Sequence, residues 1–237
     1  MPSHTFKAIF FDVGNTLLLP FPSAVDICTE VLASHGYTVD PRRLSQALTL
    51  ADQTYEEKYR RDDSFWMKEM DTANFWIELY ELMLNDAGLE EETSELACDI
   101  YTEFGHADRW QPYPDVLPTL AKLSDAGFKI GLVSNWDTRL TSLSVNIGLS
   151  KYLDFVISSA NVGMLKPQPQ IFELALERAG VGPAEAMHIG DHYYADIMGA
   201  RSVGITPVLL DRKGTMANAD CLVINNLHEL VSYLFSH

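Results

Sequence analysis

Cysteine is scarce in this chain: Cys28, Cys98 and Cys221 are its only three, far apart and in no C-x-x-C or metal-ligand spacing. That pattern argues against a disulfide framework or a zinc site and reads as reduced thiols in an intracellular protein. Long apolar runs are missing as well, none approaching the roughly 18 residues of a membrane span. The opening Met1-Pro2-Ser3-His4-Thr5 lacks a basic region followed by an apolar core, so a soluble, cytoplasmic protein is expected. Basic residues are few: 17 Lys and Arg against 33 Asp and Glu leave a formal net charge of −16. Such a surface repels phosphate backbones and anionic lipid, so neither nucleic acid nor a membrane is expected as a partner. An anionic small substrate stays open, because one bound cation and one lysine invert a local field whatever the overall charge. Internal repeats and low-complexity segments are absent too.

What is present is organised around Lys7-Ala8-Ile9-Phe10-Phe11-Asp12-Val13-Gly14-Asn15-Thr16-Leu17. An apolar run closed by Gly-Asn predicts a strand buried on both faces that delivers the Asp12 carboxylate to the edge of a sheet. Taken alone, an Asp before Gly-Asn is a turn former. Leu17 to Phe21, with Pro20 and Pro22, is expected as a loop because prolines withhold backbone donors. From Ser23 to about Gly105 the periodicity is helical: Val25, Cys28, Val31 and Leu32, then Leu44, Ala47, Leu48 and Ala51, then Trp76 to Leu84, then Leu96, Ile100 and Phe104. Four helices with no strand between them suggest a small bundle. Its aromatics read as bundle core, with Phe65 and Trp66 set apart as candidates to face a cleft.

After the Asp108 to Pro114 return, the pattern alternates. A helix over Val116 to Ala126 is stopped by Gly127, and strands are expected at Lys129 to Val133, Phe155 to Ser158, Met187 to Ile189 and Ile205 to Leu209. Helices fall between them at Arg139 to Ile147, Ile171 to Ala179 and Ala195 to Ser202. An edge strand over Leu222 to Ile224 and a helix over Leu227 to Phe235 close the chain. Alternation of this kind predicts an α/β fold, a parallel sheet with helices on both faces, and ligands in such sheets bind at the carboxyl ends of the strands. Asp12, Ser134 and Asp191 all follow strand ends.

Leu132-Val133-Ser134-Asn135 ends one apolar run with a hydroxyl, Lys166-Pro167 precedes an amphipathic helix, and Gly190-Asp191 ends another run with Asp196 five residues on. With Asp12 these resemble the four ordered motifs of the haloacid dehalogenase-like hydrolase superfamily, from Lys7 to about Leu210. The nearest resemblance is to the phosphatase-like group with a helical cap inserted after the first strand. It implies a Rossmann-like α/β core domain over residues 1–17 and 112–237 and a helical cap domain over 18–111.

By this resemblance, Asp12 is a nucleophile forming an aspartyl-phosphate. Lys166 keeps it ionised, and Ser134 with the Asn135 backbone amide donates to the phosphoryl oxygens. Asn15 and Thr16 join the substrate site. The resemblance also implies Mg2+ held by Asp12, the Gly14 carbonyl and Asp191, with Asp196 a further ligand or supporting partner. Asp137 and Thr138 read as a helix cap, His188 as a buried strand residue and His192 as peripheral.

One departure stands out. Family phosphatases carry D-x-D-x-T, whose second Asp protonates the leaving group, whereas Asp12-Val13-Gly14-Asn15-Thr16 has no side chain there. Loss of a positioned acid-base group costs on the order of 10²–10⁴ in rate. The expected function is a weak or selective magnesium-dependent phosphatase of a small phosphorylated metabolite, acting as a monomer or homodimer. Asp137, His192 or a cap residue is a candidate substitute acid. The alternatives are a 2-haloacid dehalogenase-like hydrolase, against which the metal-binding pattern and a missing motif tyrosine argue, and a non-catalytic phosphometabolite-binding protein.

Overall fold

In the computed structural model, which describes residues 6–216 and 219–236, the run after Lys7 is strand β1 (Ala8–Phe11), and all its side chains are buried. Successive residues of a strand face opposite ways, so Ile9 and Phe11 enter one apolar cluster while Ala8 and Phe10 enter another. A strand hydrophobic at every position is therefore one covered on both faces.

Next come β2 (Leu18–Pro20), the helices α1 (Ala24–Ser34), α2 (Pro41–Arg61), α3 (Glu69–Asp86) and α4 (Thr93–Glu103), and then β3 (Trp110–Pro112). The stretch expected as a loop is thus half of a two-stranded ribbon, with Leu18 opposite Pro112 and Pro20 opposite Trp110. Each proline sits at an end of this two-stranded ribbon, the kind of edge position where a missing N–H is tolerated. The four helices follow the expected stripes. Ser23 closes a capping box with Asp26, and Asp40 caps α2 ahead of Pro41. Their inward faces share one cluster that includes Cys28, Leu44, Leu79, Met83, Leu96 and Ile100.

The alternating part supplies α5 (Val116–Asp125), β4 (Lys129–Ser134), α6 (Leu140–Asn146), β5 (Phe155–Ser158), α7 (Ser159–Val162), α8 (Pro169–Ala179) and β6 (Ala186–Gly190). It continues with α9 (Gly199–Ser202), β7 (Thr206–Leu210), β8 (Leu222–Ile224) and α10 (Leu227–Phe235). Six strands pair in parallel in the order β5-β4-β1-β6-β7-β8. Leucines of α5, α6 and α10 cover the Ile9 face, and Ile171, Phe172 and Ala200 from α8 and α9 cover the other. The chain runs outward from β1 in both directions, so the connections diverge above its carboxyl end and leave a crevice there.

Residues expected as a helix from Ala195 instead begin at Tyr193 with a π-helical turn, Tyr193–Met198, before α9. His192 starts it by accepting the Ala195 N–H on Nδ1. The three cysteines are free thiols. Among the described residues no helix is long and apolar enough to cross a membrane.

Candidate active site

Phe11 lies beside Leu132 of β4 and Ile189 of β6, so the residues just past these positions emerge together above the sheet. The loop after β1 is tight. The N–H groups of Leu17 and Leu18 return to the Val13 carbonyl, and that of Thr16 returns to the Gly14 carbonyl at 2.6 Å. Asn15 takes φ +55°, a left-handed conformation that Asn tolerates better than most residues. Arg212 holds the loop from outside, its Nε and Nη2 donating to the Thr16 carbonyl at 3.1 and 2.8 Å.

Lys166 is the centre of the site. Its side chain is buried, and Nζ lies 2.6 Å from Asp12 Oδ1 and 2.5 Å from Asp196 Oδ1. Burial opposes the ammonium charge, but Asp12 and Asp196 outweigh it and hold the lysine above its ordinary range. Ser134 Oγ donates to the same Asp12 oxygen at 2.9 Å. Asp196, also buried, accepts from Lys166 and stands 2.8 Å from His188 Nε2 on one oxygen, and it accepts the His192 N–H on the other. Burial works against its charge, yet Lys166 and His188 hold it well below the usual carboxylate range. Burial pushes His188 down, so its ring is neutral and Nε2 donates to Asp196.

Asp191 is the contrasting carboxyl. Burial and the nearby Asp12 and Asp196 push it up to about 7, against the Thr16 hydroxyl, which donates to it at 3.1 Å, and the Lys166 charge. Three acids here face one ammonium. Oxygens of Asp12, Asp191 and Asp196 lie within 4.8 Å of one another. An excess of carboxylate oxygen with no nitrogen or sulfur ligand in the set fits a hard divalent cation such as magnesium. The Gly14 carbonyl, carrying one hydrogen bond, keeps a second lone pair for the same purpose.

The expected site residues therefore meet, with differences in role. Asn15 lines the cleft. Thr16 is buried behind Asp191 and spends its hydroxyl there, so it positions that acid. The Asn135 side chain braces the lysine: Oδ1 accepts the Lys166 N–H at 2.8 Å, and Nδ2 donates to the Lys166 carbonyl and the Tyr59 hydroxyl, each at 2.9 Å. Asp137, expected as a helix cap, lies two residues ahead of the α6 N-cap, Arg139; it accepts the Arg139 N–H at 2.9 Å in a turn before the helix, and the Arg139 guanidinium grips the same carboxylate. Both of its oxygens are thus taken up by Arg139.

Above the strand ends lies a cleft of about 600 Å³, enclosed by the sheet edge below and the four helices above. Trp66 lines it as expected, whereas Phe65 stacks on Phe75 at 3.8 Å and is not among its lining residues. Tyr55, Tyr59, Trp76 and Tyr80, expected as bundle core, line it too. His192, expected at the periphery, faces it and meets Glu56 of α2 at 3.5 Å. Periodicity shows which residues leave solvent, not whether they enter a core or a cleft, and it carries no signal for Tyr59 or His192.

Comparison with known proteins agrees with this geometry. Residues 6–204 match the family model of haloacid dehalogenase-like hydrolases. The haloacid dehalogenase-like hydrolase domain-containing protein 3 of Bos taurus is 33% identical over 208 residues, covering 86% of this chain and 81% of that protein. A glyceraldehyde 3-phosphate phosphatase of Methanopyrus kandleri is 32% identical over 211 residues, covering 87% and 84%. Among solved structures, a 2-haloacid dehalogenase from Pseudomonas syringae superposes with TM-score 0.65 at 27% identity, over 97% of this chain and 98% of that one. The matched span takes in the three strand ends that frame the cleft and the lysine between them, and the chain belongs to the haloacid dehalogenase-like hydrolases.

Proposed function

We propose that the protein is a magnesium-dependent phosphatase that hydrolyses a small phosphate monoester through an aspartyl-phosphate on Asp12. One observation carries this reading: the Lys166 ammonium is shared between Asp12 and Asp196 while Asp191 stands beside them with its charge unmatched. Such a site favours a cation and, with it, an anionic phosphoryl group. The relative named as a phosphatase supports the same reading. A halide leaves without a proton or a metal, so a dehalogenase has no use for the third carboxylate.

Magnesium, held by Asp12, Asp191 and the Gly14 carbonyl with Asp196 in support, would offset the repulsion between the phosphoryl oxygens and these acids. The remaining steps belong to side chains. An Asp12 carboxylate oxygen bonds to phosphorus as the ester P–O bond breaks and the alkoxide departs, taking its proton from solvent. Lys166 and Ser134, already on Asp12, donate to the phosphoryl oxygens as charge develops. Water then attacks phosphorus, the bond to Asp12 breaks, and phosphate leaves with the carboxylate restored. With no side chain at Gly14 to deliver a proton, leaving groups of low basicity react fastest.

Residues 18–111 act in this reading as a cap over a core of residues 1–17 and 112–237, excluding water while the chemistry proceeds. The β2–β3 ribbon, where both crossings run side by side, is the natural hinge. Superimposable scattering profiles with and without magnesium and a phosphoryl mimic would remove the closure. A cytoplasmic setting goes with three thiols outside any disulfide.

The test of function is phosphate release from an aryl phosphate with and without magnesium, in wild type, Asp12→Asn and Asp191→Ala. Turnover that Asp12→Asn abolishes, with magnesium affinity lowered in Asp191→Ala by calorimetry, is the expected result. Turnover surviving Asp12→Asn, or none in wild type, would overturn it.

A further inference from the structure

The cleft extends well beyond what a phosphoryl group on Asp12 needs. Its 600 Å³ falls in the range of sites that enclose a drug-sized molecule, roughly 300–1,000 Å³, and exceeds the needs of a three-carbon phosphate. On the sheet side its wall is Trp136, packed edge-on to Trp110 with centroids 4.9 Å apart. Opposite, the helices present Tyr55 stacked on Trp76 at 5.5 Å and Tyr80 stacked on Phe104 at 5.8 Å. Rings already paired with one another offer preorganised faces and edges for a further ring.

The charges of the wall point the same way. Among the described residues lining the cleft, the cations below its rim, Lys166 and Arg139, are engaged by carboxylates, and the His192 ring meets Glu56. Lys166 serves Asp12 and Asp196. Arg139 spends Nε and Nη2 on Asp137 and Nη1 on the Tyr101 carbonyl, and its guanidinium lies 4.1 Å from the Tyr101 ring centre. Lys213 stands exposed at the rim, where its charge acts on Asp52. Glu56 adds a carboxylate on the helix side. A second anionic group close to the phosphate would thus enter an acidic, aromatic chamber whose cations below the rim are already engaged, out of the company of the exposed Lys213.

We infer that the substrate is a phosphate monoester whose organic part carries an aromatic ring system and no second anion close to the phosphate. This rests on the phosphatase reading and narrows it. Short phospho-acids, whose second charge would lie inside the chamber, are excluded by the same wall that selects a ring.

The experiment compares benzyl phosphate with ethyl phosphate, two alkyl esters in which the aromatic ring rather than the chemistry of the bond is the main difference, and sets both against phosphoglycolate, with magnesium throughout. The expected result is a kcat/KM about 10- to 100-fold higher for benzyl than for ethyl phosphate, the size expected from one or two ring contacts, and phosphoglycolate the poorest. In Trp136→Leu and Trp76→Leu the benzyl-to-ethyl ratio falls toward one; that ratio is internal to each protein, so a partly misfolded preparation does not mimic the loss. Benzyl and ethyl phosphate within about threefold of each other, or phosphoglycolate preferred, would overturn the inference. If no ester is turned over, the phosphatase reading fails by itself. Calorimetry with benzylphosphonate and ethylphosphonate then decides the chamber separately: tighter binding of the benzyl compound upholds an aromatic ligand, and equal or absent binding overturns it.

Discussion

Tyr59 of α2 donates its hydroxyl to the carbonyl of Lys166 at 3.1 Å, and the same oxygen accepts the Asn135 amide at 2.9 Å. The helical layer thus holds the backbone of the residue whose ammonium orders the acids below. Tyr59, Trp66, Leu165 and Ala195 form a small apolar cluster around this contact, which keeps water from competing for it.

Tyr59→Phe removes that hydroxyl and leaves the Lys166 carbonyl with the Asn135 amide alone. A loss of about 1–3 kcal/mol in unfolding free energy is expected, together with a lower kcat from a less firmly placed Lys166. Urea denaturation and steady-state kinetics read the two effects. An unchanged kcat would mean that the contact stabilises the fold without positioning the lysine.

Gly14 has room for a side chain. A Cβ there would meet only the Trp136 ring, 3.4 Å away. Gly14→Asp is expected to raise turnover of alkyl phosphates by roughly 10²–10⁴ and to change aryl phosphates far less, since aryl leaving groups need little protonation. The ratio of the two gains measures proton delivery apart from any change in binding. Equal gains for both would assign the effect to something else.

Gly190 has none. A Cβ at the end of β6 would collide with the Asp196 carboxylate, whose position Lys166 and His188 define. Gly190→Ala should displace Asp196, weaken magnesium binding at least tenfold by calorimetry and lower the melting temperature. Wild-type affinity in this variant would show that Asp196 has no part in holding the ion.

Asp115 and Arg212 link the loop after β1 to the start of α10. Arg212 grips the carboxylate with Nη1 and Nη2, each at 3.0 Å, and the Leu227 N–H donates to it at 2.7 Å. Burial would raise the Asp115 pKa, but Arg212 and the Leu227 amide hold it below its ordinary 3.8. A carboxyl depressed on folding contributes stability that is present above 3.8 and is lost as pH falls through the folded value. Asp115→Asn should therefore cost roughly 1.5–3 kcal/mol at pH 7 and progressively less below pH 3.8, where the two stability curves converge. Parallel curves down to the lowest pH would remove the carboxylate charge from the account.

The layered core was legible because its signals are local. A strand hydrophobic at every position, such as Ala8–Phe11, is one covered on both faces, and the stripe Leu79, Met83 and Leu84 repeats at the helical period whatever it packs against. Asp12, Ser134, Lys166 and Asp191 were legible because each sits at a strand end or before a helix, positions that a parallel sheet brings to one edge. The ribbon of Leu18–Pro20 and Trp110–Pro112 was not, since its pairing joins segments separated by four helices and its prolines argue for a loop.

The sequence by itself determined the sheet, the helices and the acids that converge, because hydrophobic period and strand-end position are properties of short stretches. Only the tertiary structure decided that His188 holds Asp196, that Thr16 serves Asp191 rather than the cleft, and that Tyr55, Trp76 and Tyr80 line the cleft. Those outcomes depend on which faces meet across the two layers, and a side chain that leaves water for a core carries the same periodic signature as one that leaves it for a cleft.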